Sequence, residues 1–195
     1  MSQQSDLEAY AKLLIKWNAV QNLVSRETIG ELWPRHIADS LQLVKFLRDD
    51  DLNLLDIGSG GGFPAIPMAI ASRETQRRFT LVEPIAKKAS FLRTVARDLS
   101  LPITVLALRA EDIDSRETYD VITSRALAAL PVLLRYCATF ASQSTRCLLP
   151  KGRNYRQELD AATAHFHFDV VVHNSESDPE GVVLEISNLR DKSSA

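Results

Sequence analysis

The chain has 195 residues, of which 45% are hydrophobic, and this is enough for one globular domain with a sizeable core. Its formal net charge is −2, so overall charge does not draw it to nucleic acid, and any RNA contact must come from a local basic patch. Two cysteines argue against a disulfide framework and suit the reducing cytoplasm. The polar first residues and the lack of a long apolar run predict neither a signal peptide nor a membrane span.

Residues 1–50 are predicted to form a helical extension that packs on the core. Thr28-x-x-Glu31 is a capping box and predicts a helical stretch in the second half of this extension. Another capping box, Ser5-x-x-Glu8, predicts an earlier helix, whose apolar face at helical spacing is formed by Leu7, Tyr10, Ala11, Leu14 and Trp17.

The second helical stretch carries polar side chains beside an apolar stripe. Arg35 and His36 are candidate contacts for RNA phosphate, on the hypothesis that they lie at the mouth of the site. The alternative for His36 is a structural histidine that bridges polar groups. Pro34 is expected to force the helix to restart, after which the stripe continues through Ile37, Leu41 and Val44.

From residue 51 the pattern changes to strands alternating with helices, which predicts a mainly parallel sheet covered on both faces. The predicted strands are 52–57, 79–83, 103–108, 119–123, 145–149, 168–173 and 182–187. The predicted helices are 66–72, 85–99, 127–140 and 154–166. The last two strands are expected to form an antiparallel hairpin. This domain is predicted to span 51–190, with a polar tail at 191–195.

The stretch Leu54–Pro64 is the candidate small-molecule site. An apolar run ends in Asp56 and then breaks into a turn that contains Gly58, Gly60, Gly61 and Gly62. Glycines leave backbone N–H groups bare and let a ligand approach closely. Two nucleotide-binding hypotheses fit such a turn.

The first hypothesis is a dinucleotide-binding fold. That fold has the pattern G-x-G-x-x-G/A directly after a strand, with an acidic residue about 20 positions later. Gly60-x-Gly62-x-x-Ala65 matches the pattern, and Glu83 is the acidic residue downstream. A lone match of this kind is weak evidence.

The second hypothesis rests on Asp56 and the glycines at alternate positions after it. They resemble the D/E-x-G-x-G-x-G signature of class I S-adenosylmethionine-dependent methyltransferases. Pro64 and Pro67 are expected to delay the next helix, and a dinucleotide pyrophosphate needs an immediate helix N-terminus. S-adenosylmethionine has no pyrophosphate, so this hypothesis is unaffected.

Acidic residues follow two further predicted strands at the carboxyl edge of the sheet. Glu83 is placed to accept hydrogen bonds from both ribose hydroxyls, which suits either NAD or S-adenosylmethionine. Glu111 is a candidate acceptor for the exocyclic amine of adenine. Asp112 is expected to serve as the N-cap of a helix.

Basic residues lie at the same edge. A cation such as Arg125 is a poor neighbour for a sulfonium, so its guanidinium is expected to face an anion, either the methionine carboxylate or an RNA phosphate. Lys151 is a candidate phosphate contact, with a solvated lysine as the alternative. Arg73, Arg77 and Arg78 either extend an RNA-facing surface or point to the opposite edge.

Strings spread over most of the chain carry a more specific pattern. They are Leu14-Ile15-Lys16-Trp17-Asn18, Arg35-His36-x-x-Asp39-Ser40-Leu41, Asp56-Ile57-Gly58-Ser59-Gly60-x-Gly62-Phe63-Pro64, Glu83-x-x-x-Lys87-Lys88, Arg109-Ala110-Glu111, Thr123-Ser124-Arg125-Ala126 and Lys151-Gly152. Together they resemble the RsmG (GidB) family of small-subunit ribosomal RNA guanine-N7 methyltransferases. The chain departs from that pattern at Ala65, where the family often has glycine, and at Glu83, where it often has aspartate.

The resemblance implies a class I S-adenosylmethionine-dependent methyltransferase fold, with a seven-stranded, mainly parallel sheet and an antiparallel last strand. It implies S-adenosylmethionine as cofactor and, as target, N7 of guanine 527 in the 530 loop of 16S rRNA, within the 30S subunit or an assembly intermediate. We expect a cytoplasmic monomer with no metal site. The implied cofactor contacts are Gly58, Phe63, Glu83, Ala110, Glu111 and Arg125.

The residues agree with N7 chemistry through what they lack. Enzymes that methylate exocyclic amines commonly carry an Asn/Asp-Pro-Pro-aromatic string after strand four, and Thr123–Ala126 offers none. Cytosine-C5 enzymes need a thiolate, whereas Cys137 and Cys147 are predicted to be small core residues. Guanine N7 is unprotonated at neutral pH and attacks the methyl group directly, so no catalytic base is predicted and catalysis reduces to positioning.

Three other functions stay open from the sequence. They are a methyltransferase for another RNA or for a small molecule, an NAD-binding oxidoreductase, and a non-catalytic RNA-binding module. Binding of NAD or of S-adenosylmethionine separates the oxidoreductase from the methyltransferases, and a module that only binds RNA should bind neither. It separates the two kinds of methyltransferase poorly.

Overall fold

Seven strands form one sheet at the centre of the protein, whose computed structural model describes residues 2–25, 28–113 and 117–194. They are β1 (Asn53–Ile57), β2 (Arg78–Val82), β3 (Ile103–Leu106), β4 (Val121–Thr123), β5 (Arg146–Lys151), β6 (Phe166–Asn174) and β7 (Val182–Asp191). The strand order is β3-β2-β1-β4-β5-β7-β6. Strands β1 to β5 pair in parallel, and β7 is antiparallel to both of its neighbours. The predicted sheet is confirmed.

Six α-helices in the described part of the chain flank the sheet. They are α1 (Gln3–Asn18), α2 (Asp39–Leu41), α3 (Ala65–Ala71), α4 (Ala86–Asp98), α5 (Leu130–Phe140) and α6 (Tyr155–Thr163). A π-helical turn, Trp33–Ala38, leads into α2, and 3-10 turns lie at Ile29–Glu31, Gln42–Phe46, Ala110–Asp112 and Lys192–Ser194. Within the described ranges no helix has both the length and the apolar character to cross a bilayer.

Two apolar clusters cover the two faces of the sheet, as the alternating pattern predicts. Successive residues of a strand point to opposite faces, so Leu54 and Leu55 of β1 enter different clusters. Leu54 packs in the cluster that includes Leu14 of α1, Ile66 of α3 and Phe91 of α4. Leu55 packs in the cluster that α5 and α6 complete, with Leu130, Leu134, Cys137 and Ala162 among its members. Cys137 and Cys147 are both buried core residues, as expected.

Both predicted capping boxes are wrong. Helix α1 begins at Gln3, and the side chain of Ser2 accepts the N–H of Ser5 at 3.2 Å, so Ser5 already lies inside the helix. Thr28 precedes a single 3-10 turn and makes no side-chain cap, because its hydroxyl bonds to that of Ser25 at 2.9 Å. Serine and threonine compete for local partners in this way, which makes cap positions hard to assign from sequence.

Prolines mislead the prediction of two helix starts. Helix α3 begins at Ala65, directly after Pro64, so the expected delay is wrong. A proline such as Pro67 is tolerated in the first turn because the backbone N–H groups there have no helical partner. Helix α5 begins at Leu130 rather than at residue 127, with a proline in its first turn.

The polar tail is shorter than predicted, because β7 continues to Asp191. The 3-10 turn Lys192–Ser194 follows it, and Ala195 lies outside the described residues.

Arg146 ties the helical extension to the sheet from the first position of β5. The side chain is 5% exposed, pairs with Asp51, and donates to Glu185 Oε1 at 2.7 Å. It also donates to the backbone oxygen of Phe46 at 3.0 Å. One buried guanidinium therefore joins the chain before β1 to β5 and β7.

We expect Arg146→Met to lower the free energy of unfolding by about 3 kcal/mol or more, because the buried carboxylate of Asp51 loses its cationic partner and Glu185 is left with His173 and Arg48. Urea denaturation followed by circular dichroism measures this loss. Arg97→Met is the matched control, since Arg97 pairs with Asp98 while 76% exposed, and it should cost less than about 1 kcal/mol. Equal losses in the two variants would show that the buried network around Arg146 stabilises the fold no more than an exposed ion pair does.

Candidate functional site

The glycine turn after β1 has a backbone that only glycine adopts readily. Gly58, Gly60 and Gly62 have φ angles of 73°, 54° and 96°, in the left-handed region that other residues rarely occupy. A Cβ atom on Gly58 would lie 2.7 Å from Leu127 Cδ1. A Cβ atom on Gly60 would meet only the oxygen of Gly58, at 3.9 Å, so this side of the turn is open for a ligand.

Glu83 fastens the glycine turn to the chain after β2. Its side chain is buried, and its two carboxylate oxygens accept the N–H groups of Gly60 and Ile85, each at 2.9 Å. Each oxygen keeps a second lone pair. Glu83 therefore lies beside the glycines at the carboxyl edge of the sheet, where the sequence predicts it.

Asp56 is a buried carboxylate at the point where β1 enters the glycine turn. Its Oδ1 accepts the hydroxyl of Thr123 at 2.8 Å, and its Oδ2 has no hydrogen-bond donor in the part of the chain that the structure describes. Burial raises the pKa of Asp56 to about 7, and the nearby guanidinium of Arg125 opposes that rise. A buried acceptor without a partner is costly and suits a ligand that brings a cationic donor.

Arg125 lies between the glycine turn and the helical extension. Its guanidinium donates to His36 Nδ1 at 2.6 Å, to the backbone oxygen of Arg35 at 3.0 Å and to Asp39 Oδ2 at 3.3 Å. Its Cζ atom lies 5.0 Å from the ring centroid of Phe63. The anion that Arg125 faces in this structure is thus the carboxylate of Asp39.

His36 bridges polar and aromatic groups, which favours the structural interpretation of this residue. Its ring stacks on Phe63 with centroids 5.1 Å apart. Burial and the charge of Arg125 lower the pKa of His36 to about 4. The ring is therefore neutral at physiological pH and does not attract phosphate by charge.

Tyr10 of α1 is a site residue that the sequence pattern missed. Its hydroxyl donates to the oxygen of Gly61 at 2.6 Å, across 51 positions of sequence, and its ring lies 5.5 Å from that of Phe63. Helical spacing predicted only that Tyr10 is apolar and buried. The structure shows that the helical extension covers the glycine turn directly.

Ala110 and Glu111 lie in the 3-10 turn that follows β3. Ala110 is buried and Glu111 is exposed. A hydrogen bond with Glu111 raises the pKa of Tyr136. Asp112 ends this turn rather than beginning a helix, so its predicted role as an N-cap is wrong.

The other predicted basic residues differ in how available they are. Lys151 is 10% exposed and donates to Glu158 at 2.8 Å and to the oxygen of Ala128 at 3.0 Å, so its ammonium is already paired. Arg35 is 60% exposed and pairs with Glu31 at 3.5 Å. Of the alternatives for Arg73, Arg77 and Arg78, the opposite edge is confirmed, since they lie before β2 or at its first position and Arg73 pairs with Asp6.

A cavity of about 770 Å³ lies beyond the ends of β4 and β5, and one of its lining residues, Leu127, lies against Gly58 of the glycine turn. Arg125 and Leu127 line it beyond the end of β4, and Lys151 lines it at the end of β5. Asp39 and Ser177 close it on the side of the helical extension and the β6–β7 hairpin, where Ser177 donates to Asp39 at 2.6 Å.

The sequence is similar to a family of RNA-modifying enzymes over most of its length. A sequence model of the family described as rRNA small subunit methyltransferase G matches residues 3–180. The ribosomal RNA small subunit methyltransferase G of Bartonella henselae is 46% identical over 187 residues, which are 95% of this chain and 86% of that protein. The protein of the same name from Cereibacter sphaeroides is 43% identical over 185 residues, 94% of this chain and 88% of that one.

Solved structures share the fold at low sequence identity. A mutant of MtNAS in complex with S-adenosylmethionine has a TM-score of 0.61 at 19% identity, covering 95% of this chain and 75% of that one. Ribosomal protein L11 methylase from Lactobacillus delbrueckii subsp. bulgaricus has a TM-score of 0.60 at 16% identity, covering 76% and 75%. Together with the strand order and the family match over residues 3–180, these likenesses confirm the predicted class I methyltransferase fold.

We expect Asp56 to make stability fall as pH rises. Its pKa is about 7 in the folded protein and 3.8 when unperturbed, so the folded state holds a proton that the unfolded state releases between these values. Its contribution to the free energy of unfolding should fall by up to about 1.4 kcal/mol per pH unit across that window. Asp56→Asn should lack this pH-dependent part of the free energy of unfolding and should be more stable than the parent protein near pH 8.

Urea denaturation at a series of pH values measures the effect. Asp98→Asn serves as the control, because Asp98 is an exposed surface carboxylate, and it should keep the slope of the parent protein. A slope in Asp56→Asn identical to that of the parent would contradict a proton held by Asp56.

Proposed function

Because the chain belongs to the rRNA small subunit methyltransferase G family, we propose that it methylates N7 of guanine 527 in the 530 loop of 16S rRNA. The methyl donor is S-adenosylmethionine. Because the chain belongs to this family, we no longer consider an NAD-binding oxidoreductase or a non-catalytic RNA-binding module. The acceptor is rRNA in the 30S subunit or an assembly intermediate, and the enzyme acts as a monomer in the cytoplasm.

The observation that carries the N7 assignment lies at the end of β4. Thr123 donates its hydroxyl to Asp56 at 2.8 Å, and Ser124 donates its hydroxyl to the oxygen of Ile57 at 2.7 Å. Both side chains are at most 2% exposed. They therefore provide neither a base nor an acceptor for an exocyclic amine, which is consistent with an acceptor atom that has no proton to lose.

The residues of the glycine turn fit the methyl donor. Gly60 leaves its side of the turn open, and the second lone pairs of the Glu83 carboxylate are available to the ribose hydroxyls. The orphaned Oδ2 of Asp56 suits the ammonium of the methionine moiety. The remaining contacts in this proposal are Gly58, Phe63, Ala110, Glu111 and Arg125.

S-adenosylmethionine supplies an activated methyl group, and the lone pair of guanine N7 accepts it without a general base. The work of the protein is then to hold the two reactants in register and to exclude water. The helical extension contributes by covering the glycine turn through Tyr10. Among the candidate RNA contacts, exposure favours Arg35 for phosphate over His36 and Lys151.

The proposal is tested by methyl transfer from labelled S-adenosylmethionine to 30S particles from a strain that lacks this methylation. Digestion of the RNA should yield the label in 7-methylguanosine at one position of the 530 loop. Label in another nucleoside, or in fully methylated particles as well, would contradict the assignment. Calorimetry with S-adenosylmethionine and with NAD should show heat only for the first.

We expect Arg125→Ala to reduce methyl transfer at least about tenfold, because the variant loses the proposed contact of Arg125 with the cofactor. A hydrogen bond to a charged group contributes roughly 1.5–3 kcal/mol. The fold should be retained, because Asp39 keeps its bonds from Ser177 and Gln42. Initial rates and thermal unfolding measure the two effects. Arg93→Ala removes an exposed arginine of α4 and should leave the rate unchanged. A wild-type rate in Arg125→Ala would remove this residue from the site.

A further inference from the structure

The cavity beyond the ends of β4 and β5 is placed to receive the acceptor base. It is lined by the segments that follow β4 and β5, and Leu127, one of its lining residues, lies against Gly58. Its volume of about 770 Å³ falls within the range of ligand pockets, roughly 300–1,000 Å³. A base that enters here contacts the segment of Leu127, which packs against Gly58 in the turn that holds the methyl donor in the proposed function.

Glu158 of α6 lines this cavity with a half-used carboxylate. Its Oε2 accepts the backbone N–H of Leu130 at 2.6 Å and the ammonium of Lys151 at 2.8 Å. Its Oε1 accepts from no donor in the described portions of the chain. The carboxylate is thus fixed by one oxygen, while the other is free to accept from a ligand in the cavity.

Guanine has the complementary hydrogen-bond pattern. Its Watson–Crick edge carries the N1–H and the N2 amino group, both donors, and this edge lies across the ring from N7. Enzymes and RNA-binding proteins read extruded bases at that edge. When these donors of guanine bind a fixed carboxylate, N7 therefore lies on the side of the base that faces away from that carboxylate.

We propose that Glu158 accepts hydrogen bonds from the Watson–Crick edge of the target guanine through Oε1, and that it thereby selects guanine for methylation. This inference rests on the proposed function. Adenine presents an acceptor at N1 and has no N2 amino group, so the same carboxylate repels it. Lys151 and the Leu130 N–H are positioning groups, which hold the carboxylate in place and offset its charge.

Replacement of Glu158 by glutamine separates recognition from structure. In Glu158→Gln the side-chain amide has a single oxygen, and Leu130 and Lys151 both need it as their acceptor. The NH₂ group of the amide would then face the donors of guanine. The fold should be kept, because the inner hydrogen bonds are retained, and thermal unfolding of the variant checks this.

The experiment measures kcat/KM for methyl transfer to 30S particles reconstituted with either guanosine or inosine at the target position. Inosine keeps N7 and lacks only the N2 amino group. The parent enzyme should prefer guanosine about tenfold, as expected for one hydrogen bond to a charged acceptor. In Glu158→Gln the activity on guanosine should fall about ten- to a hundredfold, and the guanosine-to-inosine ratio should approach one.

Two results would overturn the inference in different ways. If Glu158→Gln lowers both activities by the same factor, Glu158 only supports the structure, and the proposed function stands. If the parent enzyme transfers no methyl group to N7 of guanosine, the proposed function is wrong, and the inference about Glu158 is wrong as well. Glu74→Gln, at an exposed site beyond α3, makes the same chemical change and should leave both activities and their ratio unaltered.

Discussion

The left-handed turn after β1 is the constraint on which the rest of the protein depends. Three glycines with positive φ let the chain double back at the edge of the sheet, and this exposes backbone groups that need partners. The carboxylate of Glu83 accepts a hydrogen bond from the N–H of Gly60, and the hydroxyl of Tyr10 donates to the oxygen of Gly61. The turn is thus clamped from one side by the sheet and from the other by the helical extension.

The fold could be predicted because its signals are local. Apolar runs bounded by glycine and proline indicated the seven strands, and the glycines and Asp56 indicated the turn that forms the candidate ligand site. The errors at Ser5, Thr28 and Asp112 concern cap positions, where one polar side chain has several partners within a few residues. The helix-capping preference of a residue type does not determine which of these partners its side chain binds.

The contacts that complete the site could not be predicted, because they join distant parts of the chain. Tyr10 meets Gly61 across 51 positions, and Ser177 meets Asp39 across 138. The pattern around Arg125 indicated that it needs an anion, but only the folded chain identifies Asp39 as the anion it meets. Asp39 therefore joins the helical extension, the β6–β7 hairpin and the segment after β4.

Under the proposal for Glu158, the charges around the cavity explain how a chain with a net charge of −2 would discriminate among RNA bases. Arg125 and Lys151 are each paired with a carboxylate, Asp39 and Glu158. Paired cations attract phosphate weakly, and phosphate contacts carry no sequence information in any case. Fixed hydrogen-bond groups instead read the edge of a base. In the proposed selection of guanine, the ion pair between Lys151 and Glu158 holds the carboxylate in place, and the same ion pair weakens the attraction of Lys151 to RNA phosphate.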